Sequence, residues 1–177
     1  MGRKRVRLNT LVLCLLLGTS TSAALAATMS RDEALAAFKE AAPAFTKVCT
    51  AGPNDAPTLP DGLDDRAGVA LETAEGILSK KDDAELLNAL LDYIDASDCS
   101  ADESRAFALG AIFHHRPNAL QTAIAELPDE QRCRLVGQLD WGWQNEIYDK
   151  KLDGKLLADR AARLKKLKDA LPATCEK

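Results

Sequence analysis

Apolar residues recur at steps of three and four along most of the chain, and this spacing constrains the fold more than any other feature. It places them on one face of a helix, whereas β-strands would need strict alternation. Similar stripes joined by short connections predict about seven helices in antiparallel hairpins. In a chain of 177 residues they indicate one all-α domain, either a bundle or a short superhelix of helical repeats. The first stripe consists of Leu35, Phe38, Ala42, Phe45 and Cys49.

Local signals predict where the helices begin. In a capping box, the hydroxyl or carboxylate of the first residue accepts a hydrogen bond from the backbone N–H of a glutamate three residues later. The carboxylate of that glutamate accepts a hydrogen bond from the backbone N–H of the first residue. Pro43 should kink the first helix, because proline lacks an N–H. Residues 50–62, rich in proline and glycine, should form the one long surface loop. The three predicted capping boxes are Ser30 with Glu33, Asp82 with Glu85, and Ser100 with Glu103.

Residues 1–26 have the pattern of a secretory signal peptide. Four basic residues at the start precede the apolar run from Leu11 to Leu17, which is too short to span a bilayer. Ala24 and Ala26 form a small-x-small cleavage signal, so the mature all-helical domain is expected to cover residues 27–177 with no membrane anchor. Because the chain contains no N-x-S/T sequon, we expect a bacterial periplasmic protein, with secretion as the alternative.

Four cysteines remain after such cleavage: Cys49, Cys99, Cys133 and Cys175. An even number in an oxidising compartment favours two disulfides, and the wide spacings contain no C-x-x-C pair of the kind that binds zinc. If consecutive helices run antiparallel, all four cysteines gather at one end of the domain. We therefore expect Cys49 to pair with Cys99, and Cys133 with Cys175. A Cys99–Cys133 pair is the alternative, because their separation nearly matches the spacing of two predicted helix pairs.

Removal of the leader makes the chain more acidic. The mature domain has 19 basic and 27 acidic residues, a net charge of about −8. Nucleic acids and anionic lipids require positive potential, so neither is an expected partner. The acids concentrate in residues 54–103, which hold 14 acidic and three basic residues. Such an uneven distribution of charge usually reflects solvated helix surfaces. The alternative interpretation is that the acidic segment forms a face that binds a basic partner.

The chain lacks the motifs that usually carry catalysis, including G-x-S-x-G, a Gly-rich phosphate loop and H-E-x-x-H. His114 and His115 are adjacent on a predicted helix, so their side chains diverge by about 100° and do not suit one metal ion. We expect His115 to be half-buried and His114 to be exposed, both in structural roles. The sequence therefore predicts a protein that is not an enzyme and that holds neither a metal nor a cofactor.

Three of the eight Phe, Trp and Tyr residues lie within residues 141–148. Trp143 continues an apolar stripe and should be buried. Trp141 lies about 200° around the same helix, so it must pack under another element or stand exposed. Burial is the favoured interpretation, and an exposed anchor in a binding surface is the alternative. Phe107 is assigned to the core stripe of an earlier helix.

These features predict a non-enzymatic binding protein of the cell envelope, and most specifically an inhibitor or immunity protein that occludes a secreted toxic enzyme. An acidic surface would steer a basic protein partner towards it. One alternative is an envelope adaptor with a concave apolar groove, and another is a hydrolase that uses a carboxylate pair. The residues predicted to bind the partner are Asp92, Asp95, Asp98, Asp102, Glu103 and Trp141.

Overall fold

A computed structural model describes residues 29–51, 55–100, 102–149 and 153–175. Within these ranges the chain forms seven α-helices, one short 3-10 turn and no β-strand. The predicted all-α single domain is confirmed, and its form is a bundle. The predicted signal peptide, residues 1–26, lies outside the described residues. The helices are α1 (Arg31–Thr50), α2 (Leu63–Leu78), α3 (Ala84–Ala96), α4 (Ser104–His115), α5 (Pro117–Ala125), α6 (Asp129–Asp149) and α7 (Gly154–Asp169), and the 3-10 turn covers Ala173–Cys175.

The predicted capping box at the start of α1 is confirmed. The Ser30 hydroxyl accepts a hydrogen bond from the N–H of Glu33 at 3.3 Å, and the Glu33 carboxylate accepts one from the N–H of Ser30 at 2.7 Å. These bonds lower the pKa of Glu33. α1 then runs through Pro43, which lies on its exposed side, as far as Thr50.

The predicted capping box of α3 is wrong by one residue. The carboxylate of Asp83, rather than that of Asp82, accepts a hydrogen bond from the N–H of Leu86 at 3.2 Å. Arg31 of α1 holds Asp83 in this position by donating to both of its carboxylate oxygens, at 3.0 and 2.8 Å. Asp82 forms an ion pair with Arg116 instead. Because both arginines are distant in sequence, tertiary contacts decide which aspartate caps the helix.

The predicted capping box of α4 is also wrong. The N–H of Ser100 donates to the carbonyl of Ser97 at 2.9 Å, in a turn that follows α3. This turn includes Cys99, which a disulfide ties to α1, and no side-chain capping hydrogen bond forms at Glu103, the residue before α4. The helix begins at Ser104, whose N–H and hydroxyl donate to the carboxylate of Asp102 at 3.0 and 2.7 Å.

Two groups of buried aromatic rings mark the centres of the bundle. α1 packs extensively against α2 and α3, and α4 packs extensively against α6. Phe38 and Phe45 of α1 contact Tyr93 of α3, with ring centroids 5.2 and 5.7 Å apart. Phe113 of α4 meets Trp143 of α6 edge-on at 5.6 Å. The predicted burial of Trp143 is therefore confirmed.

Two glycines allow the backbones of α4 and α6 to touch. A Cβ atom on Gly142 would overlap the carbonyl group of Ala106. A Cβ atom on Gly110 would lie 2.6 Å from the carbonyl carbon of Gly142, closer than real Cβ atoms approach other atoms. Only glycine fits here without separating the helices. The close crossing brings together the outward-facing side chains of α4 and α6.

The two disulfides have the favoured pairing. Cys49 is bonded to Cys99, with Cα atoms 5.5 Å apart, and Cys133 is bonded to Cys175, with Cα atoms 5.4 Å apart. The alternative Cys99–Cys133 pair is therefore wrong. The first bond ties the end of α1 to the turn before α4, and the second ties the N-terminal part of α6 to the C-terminal 3-10 turn. None of the helices in the described ranges combines the length and apolar character needed to cross a membrane.

Candidate binding surface

Three of the predicted binding residues form a ladder of contacts with α6: Asp92 and Asp95 on α3, and Asp98 in the turn that follows it. The aspartates are three residues apart, and their partners on α6 are three and four residues apart, so each step spans about one helical turn. Only 15% of the Asp95 side chain is exposed, and its carboxylate pairs with a guanidinium at two points. Asp95 therefore joins two helices instead of facing the solvent. The pairs are Asp92 with Gln131 (3.5 Å), Asp95 with Arg134 (2.6 and 3.1 Å) and Asp98 with Gln138 (2.5 Å).

The other predicted residues meet around one shallow cavity of about 260 Å³, between the start of α4 and the middle of α6. Four of the six predicted binding residues lie here, whereas Asp92 and Asp95 do not line it. The structure therefore divides the predicted acidic face into a part that joins α3 to α6 and a part that borders an open cavity. This Trp141 cavity is lined mainly by Asp98, Asp102, Glu103, Arg105, Gln138 and Trp141.

Trp141 is 40% exposed, so the expectation that it is buried was wrong. It packs against Phe107 of α4, which is 42% exposed, with ring centroids 5.1 Å apart and an angle of 33° between the ring planes. The assignment of Phe107 to the core was also wrong, because the neighbouring Ala106 faces the α4–α6 contact and turns Phe107 outwards. Gly110 and Gly142 are the sequence signal for this close crossing. Together Phe107 and Trp141 form an exposed aromatic pair beside the cavity.

The pKa of Asp102 is lowered, so this carboxylate at the cavity is anionic at neutral pH. Burial raises the pKa of Asp102, but hydrogen bonds from the hydroxyl and N–H of Ser104 outweigh burial, and the net shift of this pKa is downward. The side chain of Glu103 is exposed and makes no capping hydrogen bond to α4. Both groups therefore present negative charge at the start of α4, next to the aromatic pair.

Arg105 is a buried cation that the sequence reasoning missed. Only 3% of its side chain is exposed. Its Nε–H donates to the hydroxyl of Tyr93 at 3.2 Å, and Nη1 donates to the carbonyl of Ser97 at 3.3 Å. The guanidinium carbon lies 5.2 and 5.3 Å from the ring centroids of Phe45 and Tyr93, within the range of cation–π attraction. No local pattern identifies such a residue, because its aromatic neighbours come from α1 and α3.

The two histidines have the reverse of their predicted environments. His115 is exposed at the rim of a second cavity, between α3 and α5, and His114 is half-buried. The carbonyl oxygen of His114 accepts two hydrogen bonds from Arg160 of α7, at 2.8 and 3.0 Å. α7 therefore lies against His114, and a helix pattern read from one segment does not reveal this contact.

The second cavity, of about 730 Å³, contains the carboxylates of Asp82, Asp83 and Glu126. Hydrogen bonds from Arg31 lower the pKa of Asp83 to about 2, and Arg116 pairs with Asp82. A general acid at neutral pH needs a raised pKa. Asp83 is therefore a poor candidate for a general acid.

A third cavity, of about 1070 Å³, runs between α1 and α2. Val69, which is 41% exposed, lies in it together with Ala36 and Ala37. An ion pair between Arg66 and Glu40 borders the same cavity. This is a mixed apolar and polar groove, distinct from the Trp141 cavity.

Within the described ranges, no group of three or more His, Cys, Asp or Glu side chains is arranged to hold a metal ion. The chain matches no protein family, no curated protein and no solved structure. Functional inference therefore depends on the chemistry of the surface itself.

Proposed function

We propose that this protein is a non-enzymatic binding protein of the bacterial cell envelope, and that it acts as an inhibitor or immunity protein for a basic secreted enzyme. The observation that carries the proposal is the exposed Phe107–Trp141 pair beside the carboxylates of the Trp141 cavity. In this proposal, residues 1–26 deliver the chain to the periplasm, where oxidation forms its two disulfides.

The aromatic pair has the properties of a binding anchor. Its two rings form one continuous apolar surface that a partner could cover. Truncation of such anchors typically costs at least about 2 kcal/mol of binding free energy, or about thirtyfold in affinity. The backbone contact at Gly110 and Gly142 holds both helices in place, so binding would order few additional degrees of freedom.

The charge around the pair favours a basic partner. Asp98, Asp102 and Glu103 border the same cavity as Trp141. Complementary charge mainly raises the association rate, and added salt weakens this effect. In this proposal the carboxylates determine specificity and the association rate, and the aromatic rings provide most of the affinity.

An envelope adaptor is the second candidate, because exposed Val69 lies in the cavity between α1 and α2. A partner helix seated there would contact α1 and α2 instead of α4 and α6. Substitution of Val69 by serine would then weaken binding, while changes at Phe107 and Trp141 would have no effect.

The test begins with the disulfide-bonded protein, residues 27–177, immobilised to isolate its partner from envelope and secreted fractions. The purified partner is then titrated against variants by calorimetry and stopped-flow kinetics. We expect Phe107→Ser with Trp141→Ser to weaken binding by about thirtyfold. We expect Asp98→Lys with Glu103→Lys to slow association and to reduce its dependence on salt.

A matched control distinguishes the effect of charges beside the Trp141 cavity from the effect of the net charge of the protein. Asp65→Lys with Glu72→Lys makes the same change in net charge on α2, where both residues are exposed and line the α1–α2 cavity. We expect this variant to bind nearly as tightly as the unmodified protein. Equal losses for the two lysine pairs, or full affinity after both aromatic substitutions, would contradict the proposed surface.

The proposed compartment has its own test. The full chain is expressed in a bacterial cell, fractionated, and treated with a thiol-reactive reagent before and after reduction. We expect a periplasmic product that begins at Ala27 and whose thiols react only after reduction. An uncleaved cytosolic chain with freely reactive cysteines would refute the envelope assignment.

A further inference from the structure

We propose that the Trp141 cavity receives an arginine side chain of the partner, an inference that rests on the binding function proposed above. The cavity holds about 260 Å³, less than the roughly 300–1,000 Å³ typical of small-molecule and cofactor sites. It therefore fits a single inserted side chain. Charge, a further hydrogen bond that Arg105 can donate, and aromatic geometry each support the choice of arginine.

The charge of the cavity favours a cation. Asp98, Asp102 and Glu103 contribute three carboxylates, and among the described residues that line the cavity Arg105 is the only basic one. Arg105 donates to the hydroxyl of Tyr93 and the carbonyl of Ser97, and one of the three carboxylates, that of Asp102, lies 3.8 Å from its Nη2. An incoming guanidinium therefore meets a net negative site.

Arg105 supplies a second observation, independent of the carboxylates. In the described part of the chain, the nearest acidic oxygens to its Nη2 are on Asp102 and Asp64, at 3.8 and 3.9 Å. These distances are too long for hydrogen bonds. Nη2 therefore has ionic contacts but no hydrogen bond to a carboxylate, and it can donate one to the backbone carbonyl of an inserted residue.

The aromatic ring selects arginine over lysine. A planar guanidinium stacks on an indole ring and binds a carboxylate at two points, whereas an ammonium group is a compact, strongly hydrated charge. Trp141 lines the cavity and is supported by Phe107. A guanidinium at this position would contact the indole of Trp141 and the carboxylate of Glu103 together.

The test uses N-acetyl-arginine amide as the probe, with the lysine and citrulline analogues for comparison. Citrulline keeps the shape of arginine and removes its charge. Binding to the disulfide-bonded protein is followed by NMR, through the indole N–H of Trp141 and the Nε–H of Arg105, with Trp141→Leu assigning the indole signal. We expect saturable shifts of both signals with arginine, binding about threefold weaker with lysine, and about tenfold weaker with citrulline.

Two glutamate variants locate the bound probe. Glu103→Gln should weaken arginine binding about threefold or more, whereas Glu72→Gln, at an exposed glutamate of the α1–α2 cavity, should leave it unchanged. Citrulline or lysine binding as tightly as arginine would overturn the inference, as would equal effects of the two variants.

The combined results distinguish a failure of the arginine site from a failure of the proposed binding function. No probe binding, combined with loss of partner affinity in the Phe107 and Trp141 variant, refutes the arginine site and leaves the binding surface. Probe binding with unchanged partner affinity in that variant confirms the site and refutes its role in partner recognition.

Discussion

The side chain of Asp83 contributes both to the start of α3 and to the contact between α3 and α1. Its carboxylate caps α3 by accepting from the N–H of Leu86 and also binds Arg31 of α1 at two points. Only 13% of the Asp83 side chain is exposed, so the solvent screens this pair less than a surface ion pair. Hydrogen bonds from Arg31 are the main reason that its pKa falls from 3.8 to about 2.

The pH dependence of stability follows from this shift. Because the pKa of Asp83 is lower in the folded than in the unfolded protein, its ionised form stabilises the fold above about pH 4. This contribution is lost as the pH falls from about 4 to about 2. Asp83→Asn keeps an oxygen that can cap α3 and removes the charge. We expect it to lower the free energy of unfolding by about 1–2 kcal/mol at pH 7.

Urea unfolding of both proteins at several pH values checks this prediction. The difference between Asp83→Asn and the unmodified protein should shrink as the pH approaches 2. A difference that is the same at pH 7 and pH 2.5 would show that the ion pair with Arg31 contributes nothing.

At the scale of the helices, α6 makes two kinds of contact with its neighbours. Against α4, the contact is close enough that the backbones meet at Gly142 and Ala106. Against α3, it is a ladder of polar pairs centred on Asp95 and Arg134. The contact with α4 depends on the absence of a side chain at Gly142, and the ladder depends on three pairs of side chains in register.

The glycine contact predicts opposite effects at two positions of α6. Gly142→Ala should destabilise the protein by about 3 kcal/mol, because its methyl group would overlap the carbonyl of Ala106. Gly137→Ala should stabilise it by about 0.5–1 kcal/mol, because nothing lies within 4 Å of a Cβ there and alanine favours the helix. Thermal unfolding measures both, and the prediction fails if the two substitutions shift the Tm in the same direction.

The polar ladder predicts unequal roles for the two carboxylates that bind Arg134. Asp95→Ala should cost about 2 kcal/mol, because it removes two charge-assisted hydrogen bonds from a largely buried group. Glu130→Ala should cost at most about 0.5 kcal/mol, because Glu130 is 87% exposed and lies one turn from Arg134 on the same helix. Equal costs in denaturant unfolding would argue against a structural role for the ladder.

At the scale of the whole molecule, the disulfides close loops of similar length. The bonded cysteines are 50 and 42 residues apart, and each bond should stabilise the fold by about 4 kcal/mol through the entropy of the unfolded chain. This is a large fraction of the roughly 5–15 kcal/mol typical of a domain. The bundle therefore depends on its covalent bonds as well as on its leucine-rich and alanine-rich core.

Removal of each disulfide tests this dependence. Cys49→Ala with Cys99→Ala, and Cys133→Ala with Cys175→Ala, should each lower the free energy of unfolding by about 4 kcal/mol. Urea unfolding of the two variants, compared with the oxidised protein, gives both values. Losses below about 1 kcal/mol for either pair would show that the unfolded chain is not restricted as the entropy argument requires.

The spacing of apolar residues by itself determined the number of helices and their approximate positions, because that periodicity is a property of neighbouring residues. The cap at Ser30 was predictable for the same reason. The alternating direction of consecutive helices predicted that the four cysteines gather at one end of the domain, which favoured the observed pairing but left the Cys99–Cys133 alternative open. Only the tertiary structure decided that Phe107 and Trp141 are exposed, that Arg105 is buried, and that Asp83 caps α3. Each of these depends on which distant helix lies opposite the residue, and the hydropathy of a single segment does not record that.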